Sequence, residues 1–353
     1  MLVFSVPRFF FTTWVIVVSL QMHGYRSCIE KERKGLLELN AYVNSEFPYD
    51  WPNDTDSDCC QWDRVKCNFT TGSVVGLFLN STYTVRPLLN LSLLYPFPEL
   101  KTLNLDYFNS TGWFDNIHEL KDLRNLKLLD LSGNMLSGPL PGLCQLKNLR
   151  ELDLSRNEVI GRLPQCFRSL SKLEVLDISS NKFSGTSPSL ISNLSSLQYL
   201  SLSDNEFEGV FSVELIANLS KLKVFKLSSR TSFLQIENKI SLQPRFQLSV
   251  IELQYCNLET VPRFLQHQKD LRLINLSNKK LTRISPSWFL ENYPRLQVLL
   301  LQNNSFTMLQ FPRLLLNQSM QILDVSSNKF YQGLPETQRV SFGEMKKTHE
   351  SFQ

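Results

Sequence analysis

Leu149-x-x-Leu152-x-Leu154-x-x-Asn157 decides the fold of this chain, together with its next two copies, Leu173-x-x-Leu176-x-Ile178-x-x-Asn181 and Leu197-x-x-Leu200-x-Leu202-x-x-Asn205. The pattern recurs about every 24 residues, from the middle of the chain nearly to its end. With the second apolar residue as marker, the series is Leu77, Leu103, Leu129, Leu152, Leu176, Leu200, Phe225, Ile251, Ile274, Leu299 and Leu323, eleven units spaced 23 to 26 residues apart. The first two are degenerate, as units beside an end cap tend to be. A fixed period of this length marks a solenoid, in which each unit buries its apolar face only by stacking on its neighbours. Such a shape offers a long curved surface and no deep cleft, so it points to binding rather than catalysis.

The L-x-L spacing puts both side chains on one face of a short strand. Each buried leucine contributes about 1.5–3 kcal/mol relative to exposure. The Asn pairs with backbone groups where the chain turns away from the strand. Stacked copies form a ladder at Asn134, Asn157, Asn181, Asn205, Asn304 and Asn328. Cys256 stands at the ladder position of its own unit and reads as a buried structural thiol. Arg230 and Lys279 break the ladder, and residues 228–247 lack repeat landmarks, which predicts an irregular excursion. Several units continue as Gly-x-x-Pro, from Gly138 to Pro141, Gly161 to Pro164 and Gly185 to Pro188, with Gly333-Leu334-Pro335 a shortened relative. Gly permits a tight change of direction, and Pro starts the next segment with φ preset.

This L-x-G-x-[IL]-P extension resembles the plant-specific leucine-rich repeat of receptor kinases, receptor-like proteins and polygalacturonase-inhibiting proteins. The fold it implies is an α/β repeat: a right-handed solenoid with a parallel β-sheet on the concave face and a disulfide-capped N-terminus. The segment from Cys59-Cys60-Gln61-Trp62 to Cys67, followed by Thr71-Gly72-Ser73-Val74, resembles the N-terminal cap of that family. The resemblance implies the pairings Cys28–Cys59 and Cys60–Cys67. A helix is expected over residues 30–47, with Leu36, Leu37, Leu39, Val43 and Phe47 inward and Glu30 paired to Lys34 outside. Trp51 and Trp62 are placed to cover the open end of the core. The expected layout is an export signal at 1–27, the cap at 28–73, repeats at 74–335 and an irregular tail at 336–353.

Residues 1–27 hold no acidic residue, and their apolar run of about 12 is too short to span a bilayer. No later segment is apolar enough to serve as an anchor. Export favours disulfides over zinc, and the cysteines form no C-x-x-C pair. Cys144 and Cys166 lie 15 and 14 residues after successive markers, which predicts a third bridge on the convex side. Ten N-x-[ST] sequons mark glycan acceptors at Asn53, Asn68, Asn80, Asn90, Asn109, Asn193, Asn218, Asn275, Asn303 and Asn317. Asn193 and Asn218 fall in nearly equivalent places, whereas Asn275 sits on a strand, where a glycan would block the concave face.

Composition excludes more than it proposes. With the signal removed, the charge balance is about +2, which favours neither nucleic acid nor anionic lipid. His118, His267 and His349 lie far apart, and no hydrolase, metalloprotease, phosphate-loop or kinase motif occurs. Asp130, Asp153, Asp177 and Asp324 recur at one repeat position, which suits a solvated ladder better than a catalytic pair. No catalytic residue, metal or cofactor is expected.

Longer stretches narrow the resemblance to plant receptor-like proteins. They include Pro87-Leu88-Leu89-Asn90-Leu91, Glu151-Leu152-Asp153-Leu154-Ser155-Arg156-Asn157, Phe246-Gln247-Leu248-Ser249-Val250-Ile251 and Gln268-Lys269-Asp270-Leu271-Arg272. The resemblance implies a recognition module at the outer face of the plasma membrane or in the apoplast. It would bind a peptide, protein or glycan and signal with a membrane receptor kinase in defence or development. The chain lacks that plan's later repeats, C-terminal cap and membrane span, so either the tail covers Leu323 and Val325 or this is a fragment or a truncated gene product. The competing readings are a secreted inhibitor of pathogen cell-wall-degrading enzymes and a nonfunctional decoy. Ligand contacts are expected on the concave strands at Arg150, Tyr199, Lys226, Glu252, Tyr255, Arg272 and Gln302, since Tyr and Arg favour hot spots.

Overall fold

The computed structural model describes residues 27–43, 51–52, 57–79, 86–87, 91–108, 110–113, 123–138, 140–186, 188–231, 233–237, 243–282, 285–308 and 320–330. The expected export segment apart from Ser27, the expected tail, Phe47, His118, His349, Gly333-Leu334-Pro335 and the sequons at Asn53, Asn80, Asn90, Asn109 and Asn317 lie outside these residues.

Twelve strands form one sheet: Val65–Cys67, Val74–Phe78, Thr102–Asn104, Leu128–Asp130, Glu151–Asp153, Val175–Asp177, Tyr199–Ser201, Val224–Ser228, Val250–Gln254, Leu273–Asn275, Val298–Leu300 and Ile322–Asp324. The first pair is antiparallel and every later pair parallel. All eleven marker residues stand opposite one another in register, from Leu77 against Leu103 to Leu299 against Leu323. A register slip by one residue would turn every leucine out of the core, so the apolar pattern fixes the stacking. Markers from Leu77 to Leu299 are at most 1% exposed. In the last unit Leu323 and Val325 are half-buried against the core.

The ladder works as the residue type demands. Asn181 is fully buried. Its Nδ2 donates to the carbonyls of Leu154, Ile178 and Ser179 at 2.8, 3.2 and 3.2 Å, and its Oδ1 accepts from Val159 N at 3.0 Å. Asn157, Asn205, Asn304 and Asn328 repeat this set of bonds. Cys256 stands in for the amide with a weaker donor, its Sγ facing the Leu227 and Gln254 carbonyls at 3.7 and 3.2 Å. Where Arg230 takes the ladder position it points to solvent. The buried Ser229 Oγ and the Thr231 Oγ1 donate to Phe207 O instead.

Four units leave the sheet through a turn at a left-handed glycine and return along an outer layer. Gly138, Gly161, Gly185 and Gly209 have φ of +79°, +85°, +95° and +76°, a region where a side chain costs energy. Beyond them lie short helical turns such as Gln165–Ser169, Ser189–Asn193 and Arg263–His267, each preceded by Pro. Small outer sheets run alongside, including Ile160–Gly161 with Lys182–Gly185 and Glu206–Phe207. Within 228–247, where the sequence predicts an irregular excursion, the described residues 228–231, 233–237 and 243–247 include parallel pairing. Ser228 ends a sheet strand, and Leu234–Ile236 pairs in parallel with Gly209–Phe211, burying Leu234 and Ile236. Two apolar residues at alternate positions suffice for this, even where the motif letters are gone.

The N-terminal end is closed by the helix Glu30–Val43, with Leu36 and Leu39 fully buried and Leu37 half-buried. Glu30 pairs with Arg33 and Lys34 outside, at 2.9 and 3.6 Å. Trp51 and Trp62, both buried, stack on each other at 5.6 Å. The buried Glu32 carboxylate accepts from Val74 N at 2.6 Å, tying the helix to the start of the parallel sheet, and its burial raises the carboxyl's pKa. Cys28 is bonded to Cys59, Cys60 to Cys67 and Cys144 to Cys166, with Cα separations of 5.4, 5.4 and 5.6 Å. Among the described residues no helix is long and apolar enough to cross a membrane.

Candidate functional site

Concave positions follow from the strand period. If a marker points into the core, the residues on either side of it face out, and so does the residue three further on. Along the middle units this places a polar face with a cavity of about 450 Å³. Tyr199, Lys226 and Glu252 meet there. Lys226 and Glu252 are opposite in register, and their side chains pair at 2.8 Å. The Lys226 ammonium also stands 5.9 Å from the centre of the Tyr199 ring. Tyr199 Oη donates to Asp177 Oδ2 at 2.9 Å. Burial first, and the Asp177 charge second, push its phenol well above the usual tyrosine range. An aromatic face, a cation and two carboxylates are thus held on neighbouring strands of one rigid sheet.

The recurring carboxylates have a local task that the sequence did not reveal. Asp130, Asp153, Asp177 and Asp324 each accept, through Oδ1, the backbone N–H two residues on, at 2.8–3.0 Å. Asn104 and Asn275 do the same at 3.0 and 3.2 Å. These are Asx turns that end the strands. Burial, with the neighbouring charges of Asp177 and Asp130, pushes the Asp153 carboxyl up to about 6.

The turn that follows carries residues that the repeat motif does not mark. Tyr107, Arg156, Ser180, Asp204 and Tyr255 hold φ between +47° and +55°, where Gly133 has +66°. The turn swings Tyr107, Arg156 and Asp204 to the rim of the concave cavity. Arg156 donates to Tyr107 Oη, and Ser228 Oγ donates to Asp204 Oδ1 at 3.1 Å. The signal was present as a fixed offset from each marker, but the residue types vary too much to read as a set.

The other candidates do not join this cluster. Arg150 is exposed and pairs with Glu174 at 2.8 Å. Arg272 is exposed just before its strand. Gln302 lies several units away, its Oε1 buried without a hydrogen-bond partner among the described residues. Tyr255, 54% exposed, lines a second cavity at the edge of the sheet. His267 is exposed, near Gln243. Asn193 and Asn218 are exposed on the convex flank, Asn303 is exposed, and Asn68 is half-buried in a turn with Thr70. Asn275, the strand sequon, is 4% exposed, with Oδ1 held by Ser277 and Nδ2 directed at Glu252. Its strand position faces the concave side, but the adjacent side chains cover it.

The model described as "Leucine rich repeat N-terminal domain" matches residues 29–68, and models described as leucine-rich repeats match 147–207, 125–146 and 196–222. Receptor-like protein 9a of Arabidopsis thaliana is 60% identical over 95% of this chain, and Receptor-like protein 9b of the same plant is 58% identical over 91%. The aligned parts make up 44% and 42% of those proteins, so the chain spans less than half the length of the curated relatives it matches. In three dimensions the crystal structure of a plant ice-binding protein aligns with a TM-score of 0.66 at 22% identity, covering 87% of this chain and 97% of that one, a likeness of fold.

Proposed function

We propose, from the premise that this chain belongs to the leucine-rich-repeat receptor-like proteins of plants, that its concave sheet is the ligand-reading surface of a cell-surface receptor. In this reading residues 1–27 direct export, 28–73 cap the array, and the repeats stand outside the plasma membrane. The observation that carries it is the convergence of Tyr199, Lys226 and Glu252 on one open polar cavity in mid-sheet. A rigid aromatic face beside a fixed ion pair suits a peptide, protein or glycan, which offers apolar surface and hydrogen-bonding groups together. A ligand bound there would be presented to a membrane kinase partner. We read the chain as a binding module and not an enzyme, since its recurring carboxylates are occupied by backbone amides.

The test is binding of the secreted chain to a synthetic library of plant extracellular peptides and an array of cell-wall oligosaccharides. Tyr199→Ala and Lys226→Glu should each weaken the retained hits tenfold or more. Hits that both variants keep at full strength would remove the concave cavity from the account.

A further inference from the structure

The second cavity, of about 380 Å³, lies where three successive units have lost the ladder asparagine. Arg230, Lys279 and Lys280 line it, with Asn278, Asn303 and Tyr255, and among the described residues no carboxylate does. The concave cavity, by contrast, holds Asp177, Asp204 and Glu252. Lys279 is the unusual member. It is 7% exposed, yet it is in no ion pair among the described residues. Its Nζ donates to Cys256 O at 3.1 Å, which leaves donors over on a group that carries three. A buried ammonium without a counter-charge is costly. Burial accordingly lowers Lys279 to about 8, and the Cys256 thiol beside it is itself pushed up by burial, so the thiol supplies no negative charge. Arg230 and Lys280 are exposed and likewise unpaired with acids among the described residues. Asn303 Nδ2 donates to Asn278 Oδ1 at 2.9 Å, which leaves the Asn278 amide nitrogen as a further donor at the rim.

We propose that this edge cavity is an oxyanion site, in which Arg230, Lys279 and Lys280 receive a sulfate or carboxylate group of a ligand. Three cations drawn from two units, with amide donors and no acid, match such a group in charge and in hydrogen-bonding sense. Asn303 must then be free of glycan, since a sugar on its Nδ2 would close the cavity. The site is independent of the concave reading, because none of its residues lines the mid-sheet cavity.

Equilibrium dialysis of the whole chain against labelled sulfate and labelled acetate, with ionic strength held by chloride, tests it. Saturable binding of one of the two anions is expected, and the anion that binds tells a sulfate ester from a carboxylate. Lys279→Asn restores the ladder residue found in the neighbouring units, so it should fold, while weakening binding about tenfold or more. Arg230→Gln, at an exposed position, should weaken binding too, and Lys172→Gln, exposed and outside both cavities, should not. A melting curve of Lys279→Asn at or above the wild-type temperature checks that the fold is kept. Absence of saturable binding to either anion, equal binding by Lys279→Asn and Arg230→Gln, or a glycan on Asn303 would each overturn the proposal.

Discussion

At the scale of single residues, the molecule is held by polar side chains that serve the backbone of the next unit. Asn181 satisfies three carbonyls and one amide in the core. Asn181→Ala leaves those groups buried and unpaired, and should cost about 3 kcal/mol in denaturant unfolding. Asp153 gives a pH signature. Its folded pKa of about 6 lies above the ordinary 3.8, so the folded state binds its proton more tightly than the unfolded chain does. The stability this provides is complete below about pH 4 and is lost as pH rises through 6. Asp153→Asn keeps the turn acceptor, as Asn104 and Asn275 do in their own units. The variant should therefore show a flatter stability profile between pH 4 and 6 and be the more stable protein at pH 7. A profile parallel to wild type would mean that Asp153 is no more shielded than in the unfolded chain.

At the scale of elements, the strands were legible and the joints were not. Apolar periodicity fixes each marker inside, and a parallel register then aligns all eleven. It also brings Lys226 opposite Glu252, so part of the concave cluster follows from spacing alone. Arg156 and Tyr107 are 49 residues apart and meet only because both turns are left-handed, which no glycine announces at either position. The Glu32 contact with Val74 is hidden for a related reason, since a buried carboxylate on a helix looks like a surface residue until the sheet is placed against it. The outer strand Leu234–Ile236 shows the converse: an element persists where the motif has decayed, because stacking asks only for apolar alternation. The bridge Cys144–Cys166 ties the helical turns of two adjacent units. It closes a 22-residue separation. The double variant Cys144→Ala, Cys166→Ala should lose about 3 kcal/mol by the loop-entropy relation, read from its denaturation midpoint. An unchanged midpoint would show that stacking alone fixes these turns.

At the scale of the whole molecule, the two faces of the solenoid differ in what they present to solvent. The convex flank presents Asn193 and Asn218 to solvent, while Asn275 on the sheet is closed off by its neighbours. Glycopeptide mapping of the secreted chain should find sugar at Asn193 and Asn218 and none at Asn275. A glycan at Asn275 would require Ser277 and Glu252 to give up their contacts and would obstruct the concave cavity. With sugar expected on one face and an open polar cavity on the other, the proposed reading puts the ligand on the concave sheet. The most direct test is photo-crosslinking on plant cells, with a photoreactive residue in place of Tyr199 in one chain and of the convex Lys147 in another. The account predicts a discrete adduct with an extracellular peptide, protein or glycan from position 199 and none from position 147. Adducts of equal yield from the two positions, or from position 147 alone, would contradict it.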